Sequence, residues 1–252
     1  MPEPAVAALL AAAVAALGAL LAPRVVARLP EPEPVAPDET AADEKGESAV
    51  PEHPVTTRPV KIPYAELADR PHLALWLAGA SAVLAGALGW QLGLDPALPL
   101  WVAFVVLGVT LSYVDWHTRL LPKRLVLPAY PAAVVLALLA AALAADTAVL
   151  ARAGVGWVAV GGLYLLLWLI APRGIGYGDV RLSGLLGLCL GALGWAELVV
   201  GGYAGFVLGA VGGLALGALG VVDRKAFPFG PFMMLGAWAG AVWGSTLLRA
   251  WG

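Results

Sequence analysis

The feature that most limits what this chain can become is a succession of charge-poor apolar stretches. Each is roughly 16 to 25 residues long, about the length a helix needs to cross a hydrocarbon layer. They run 5–22, 73–94, 96–114, 125–145, 153–171, 180–196, 198–222 and 229–248. With 61% hydrophobic and 13% charged residues and a mean hydropathy of +0.85, the chain is too apolar for an ordinary soluble domain. Membrane strands would give short alternating segments, whereas these runs are continuous and rich in Ala, Leu, Val and Gly. The predicted fold class is therefore all-α, a polytopic membrane bundle of about eight transmembrane helices. Pro96, Pro99, Pro128 and Pro131 are expected in first turns, where a missing N–H costs least. Asp95, Asp146, Glu197 and Asp223 punctuate the joins.

Three regions follow. Residues 1–22 are expected to be a first transmembrane helix, retained because no basic segment precedes the apolar run. Residues 23–70 carry many prolines among ten acidic residues, and read as a mostly disordered cytoplasmic linker, a solvated spacer. Residues 71–252 hold the remaining spans. Thirteen of the 15 Lys and Arg fall on the side of the linker, against Arg152 and Arg249 opposite. The positive-inside rule therefore puts the linker in the cytoplasm of a cell (inner or plasma) membrane, with both termini outside.

On that topology Asp115, closing the third span, and Asp179, opening the sixth, share the cytoplasmic rim. Asp179 ends the string Gly174-Ile175-Gly176-Tyr177-Gly178-Asp179, whose glycines let backbone approach closely. An ionisable residue beside hydrocarbon is costly and marks a functional candidate. Two carboxylates within reach of one water can hydrolyse an amide. One takes the water's proton, while its protonated partner polarises the carbonyl and later protonates the leaving amine. No metal or cofactor is required. The plainer readings are a helix cap for Asp179 and an acid at the headgroups for Asp115.

Other conspicuous residues read as scaffold. Gly201, Gly205, Gly209, Gly213 and Gly217, and Gly236, Gly240 and Gly244, recur every fourth residue and make flat ridges for helix packing. Cys189, the single cysteine, is a small hydrophobe, and His117 an interfacial residue. The glycine string does not follow the G-x-G-x-x-G pattern and lacks a βαβ context, so no nucleotide site and no nucleic-acid partner is expected.

Gly176-Tyr177-Gly178-Asp179 resembles the GxGD signature of type IV prepilin peptidases, membrane aspartic proteases that also include archaeal preflagellin peptidases. Asp115-Trp116-His117-Thr118-Arg119-Leu120-Leu121-Pro122 looks like that family's first-aspartate segment. Phe227-Pro228-Phe229-Gly230-Pro231-Phe232 is similar to the Pro-Phe-Gly-Pro block opening its last helix. Position by position, the resemblance implies that Asp115 and Asp179 are the catalytic acids. Gly176, Tyr177, Gly178, Pro228, Gly230 and Pro231 would shape the loops or contact substrate. It further implies an aspartic-type endopeptidase that cuts the basic leader from type IV prepilin or pseudopilin precursors, its partners besides the bilayer. Many bacterial members carry paired CxxC motifs between their first two helices and methylate the new N-terminus. This chain has an acidic tether without cysteine there, which leaves N-methylation unassigned. Two other classes compete: a transporter binding a cation or proton at the aspartates, and an inactive assembly scaffold.

Overall fold

The computed structural model describes residues 3–31, 62–171, 175–219 and 227–251. Its regular elements are all helices: α1 (Glu3–Ala19), α2 (Ala22–Ala27), α3 (Tyr64–Ala68), α4 (Leu73–Leu92) and α5 (Leu98–Thr118). They continue as α6 (Lys123–Ala144), α7 (Ala148–Ile170), α8 (Tyr177–Leu193), α9 (Trp195–Ala218) and α10 (Gly230–Trp251). The chain is a multi-pass helical membrane bundle. Each of the eight apolar runs has its long helix. Among the described residues, six segments are long and apolar enough to cross a membrane, with α1 and α2 taken together as one. At 17 residues, α8 is shorter than those six.

Local chemistry accounts for most boundaries. The Asp95 carboxylate accepts the Ala97 N–H at 2.7 Å, and Asp146 accepts the Ala148 N–H at 2.8 Å, so acids at two joins satisfy donors that a helix start leaves open. Pro99 lies in the first turn of α5 and Pro96 precedes it. Pro128 and Pro131 depart from expectation, because α6 begins at Lys123, directly after Pro122, and both lie inside it. Each removes one intrahelical hydrogen bond, which an apolar helix held by its neighbours tolerates.

The linker also differs from expectation at its two ends; residues 32–61 lie outside the described residues, as do Arg173, Gly174 and Asp223. Val26 and Leu29 from one end, and Tyr64 and Leu67 from the other, are buried with Val114 of α5. The Tyr113 hydroxyl donates to the Leu67 carbonyl at 2.9 Å, and the Tyr64 N–H donates to the Glu31 carboxylate at 2.8 Å. Apolar residues spaced along the acidic segment's ends thus cap the terminus of α5 that carries Asp115.

Small residues set the packing. In α7 and α8, Gly156 and Gly187 bring backbone against backbone, and Gly161 meets Gly184. In α9 and α10 the same is done by Gly205 with Gly236 and by Gly201 with Gly240. Gly89 of α4 sits on the backbone of α1 at Ala7, where a Cβ would come within 2.6 Å of the Ala7 carbonyl oxygen. Without a hydrophobic drive between helices in lipid, such close approach supplies dispersion contacts over long surfaces. Around these pairs α5 is central: 61% of its apolar span is buried, against 17–39% for the other five. Every residue of α8 from Leu182 to Ala192 is buried too. The Trp101 indole of α5 donates to the Cys189 carbonyl of α8 at 3.2 Å, tying the two core helices together. Cys189 itself is buried and free.

Candidate active site

The two aspartates lie on the two innermost helices, and each is held by a glycine N–H at the start of a helix. Asp115, in the last turn of α5 and 4% exposed, accepts the Gly230 N–H at 3.0 Å through Oδ2. Phe229 precedes α10, its carbonyl taking the N–H groups of Phe232 and Met233, so Gly230 and Pro231 open the helix. The Gly230 N–H is therefore one of the donors a helix start leaves unpaired, and it carries the positive end of the helix dipole. Pro231 has no donor to lose there. A Cβ added to Gly230 would lie 2.8 Å from Asp115 Oδ2 and 3.4 Å from Leu121. Only glycine leaves the carboxylate its place.

Asp179 repeats the arrangement. It sits in the first turn of α8, and its Oδ2 accepts the Gly176 N–H at 3.2 Å. A Cβ on Gly176 would lie 3.1 Å from that oxygen. The capping role weighed for Asp179 is thus realised in the capping-box position, three residues into the helix instead of just before it. This does not compete with chemistry, since one oxygen takes the amide and the other remains available.

Leu121, on the turn between α5 and α6, borders both glycine segments. A Cβ on Gly178 would be 3.0 Å from the Leu121 Cβ, so Gly178 lets α8 close onto the same side chain that borders Gly230. The turn itself is made by Arg119, in the left-handed region at φ 56°, whose N–H donates to the Asp115 carbonyl at 2.7 Å. The two carboxylates are near enough for the charge of Asp115 to act on Asp179, and Asp179 acts likewise on Tyr164 of α7. Beside Leu121 a cleft of about 460 Å³ opens between Glu31, Tyr64, Lys123, Arg124 and Arg181.

Among the other residues singled out from sequence, Pro228 is buried just ahead of α10. Tyr177 is 49% exposed, stacked between Trp168 (centroids 5.2 Å apart) and the Arg181 guanidinium at 4.8 Å. His117 is engaged elsewhere. Arg70 has only donors, so the 2.7 Å contact makes His117 Nε2 the acceptor, and Nδ1–H then donates to the Tyr113 carbonyl at 2.8 Å. The sequence reading missed Leu121 and Tyr164. Tyr164 shows no motif, and it becomes visible only through its stacking on Phe206, 4.6 Å away, in the cluster that also holds Phe229.

A bundle whose two innermost helices each bring a carboxylate to a glycine amide, with one leucine bordering both glycine segments, defines a polytopic membrane protein with a candidate acid centre. Comparison with known proteins gives that centre a relationship. Residues 101–214 match the type IV leader peptidase family, which bears out, over a stretch containing both aspartates, the resemblance read from the motifs. A prepilin leader peptidase/N-methyltransferase of Aeromonas hydrophila is 30% identical over 148 residues, covering 56% of this chain and 48% of the relative. One from Dichelobacter nodosus is 30% identical over 145 residues, covering 57% and 48%. The chain spans about half the length of the curated relatives it matches. No solved structure gives a significant match.

Proposed function

We propose that the chain is an aspartic endopeptidase that removes the leader from type IV prepilin or pseudopilin precursors at the cytoplasmic face of the inner membrane. The observation that carries this reading is the pairing. Two acids 64 positions apart in the chain are each seated on a glycine amide at a helix start, and one leucine, Leu121, borders both Gly178 and Gly230. The family match over 101–214 and the names of the relatives supply the substrate class.

In this mechanism one carboxylate is ionised and the other protonated. The ionised acid takes a proton from water as the oxygen adds to the scissile carbonyl carbon, while the protonated acid polarises the carbonyl by a hydrogen bond to its oxygen. As the tetrahedral species collapses and the C–N bond breaks, the protonated acid gives its proton to the leaving amine, so the pair again holds one proton, now on the acid that took it from water. Two close carboxylates suit this division, because they titrate as a pair that readily shares one proton. Both acids lie at helix ends, where water and a substrate can approach, and a polar cleft opens beside Leu121.

The test is cleavage of a candidate precursor by the detergent-solubilised chain, read as the mass of the released leader. Asp115→Asn and Asp179→Asn should each lower the rate by about 10²–10⁴-fold while the protein still accumulates in membranes. Normal trimming by either variant would remove the mechanism.

A further inference from the structure

The glycines of α9 do not all serve the same purpose. Gly205 meets the α10 backbone at Met233, as a packing glycine should, and Gly201 lies against the Leu190 side chain of α8 and the backbone of Gly240. One turn further along the helix the neighbours change to aromatic rings. A Cβ on Gly209 would coincide with the ring of Phe229, and one on Gly212 with the ring of Phe232. These two rings flank Gly230 and Pro231, the residues that open α10 and carry the amide bound to Asp115. Phe229 is further held by Tyr164 and Phe206 at 6.3 and 6.4 Å, and Phe232 stacks on Phe227 at 4.8 Å.

We propose that Gly209 and Gly212 are positioning residues for the acid centre: their bare faces form two notches that seat Phe229 and Phe232 and so fix the Gly230 amide against Asp115. The physical reason is leverage. Phe229 and Gly230 are adjacent, so a ring lifted by one methyl group turns the peptide between them, and that peptide's N–H is the donor. A hydrogen bond of 3.0 Å has little tolerance for such a turn. Gly213, next to the second notch, is the internal control. A Cβ there would meet Phe227 no closer than 3.6 Å, an ordinary contact.

The inference rests on the proposed peptidase reading for its activity readout, so it is tested by two measurements on the same purified full-length variants. In precursor cleavage, Gly209→Ala should lower kcat at least tenfold with KM and the thermal midpoint close to the parent's. Gly213→Ala should match the parent, and Gly209→Ala combined with Phe229→Leu should recover most of the loss. Hydrogen–deuterium exchange over residues 228–231 should accelerate in Gly209→Ala and not in Gly213→Ala, because only Phe229 and Gly230 carry an amide hydrogen there. Parental kcat in Gly209→Ala, or a loss matched by an equal loss of folded protein, overturns the proposal. So does a failure of the double variant to recover. If the parent cleaves no precursor, the peptidase reading fails by itself, and unchanged exchange in Gly209→Ala still refutes the positioning role.

Discussion

At Asp115 and Asp179 the chain solves one problem twice. A carboxylate at the edge of hydrocarbon must be given donors or it will not be held, and both are given a backbone amide at a helix start. The glycines are required less for backbone freedom than for absence of a side chain. A methyl at position 230 would stand 2.8 Å from the carboxylate oxygen, one at position 176 would stand 3.1 Å away, and the two substitutions therefore differ in severity. Gly230→Ala should lower precursor cleavage by about 10²-fold, the effect of displacing a reacting group by roughly 1 Å. Gly176→Ala, which needs a shift of only a few tenths of an ångström, should cost markedly less. Parallel cleavage rates on the two purified variants decide the order, and equal rates would count against steric seating of Asp115.

At the scale of elements, glycine spacing alone did not say which helices touch, because a ridge of small residues fits any similar ridge. The structure pairs α7 with α8 and α9 with α10, and the glycines divide accordingly. Gly187 faces the Gly156 carbonyl and would bring a Cβ to 2.9 Å from Val160, whereas Gly79 and Gly154 have open space around them. Gly187→Ala should lower unfolding free energy by about 1–3 kcal/mol through overpacking of the pair. Gly79→Ala and Gly154→Ala should leave it unchanged or slightly raised, since alanine is the better helix former. Denaturant midpoints in a single detergent would show the contrast.

At the scale of the whole molecule, the distribution of Lys and Arg sets the expected orientation, and the chain provides its own reporter background. Cys189 is fully buried, so an introduced thiol is read without interference. Thr147→Cys and Arg119→Cys occupy exposed positions at opposite ends of the helices. A membrane-impermeant maleimide should label the first in intact cells and the second only after the membrane is opened. The reverse pattern would put the acid pair outside and end the proposal that it meets leaders in the cytoplasm.

What the sequence settled by itself was whatever depends on neighbours along the chain. Length and hydropathy gave the eight apolar runs and the helical class, and acids at two joins gave helix starts. The strings around Asp115, Asp179 and Gly230 marked three short segments as belonging together. Tertiary structure decided how they belong. That Gly230 donates to Asp115 across 115 positions, that Leu121 borders both glycine segments, and that Gly209 receives a ring while Gly205 receives backbone are all consequences of how helices cross. Crossing is set by side-chain volumes meeting in space, and nothing in the order of residues along one helix records which partner will fill its notches.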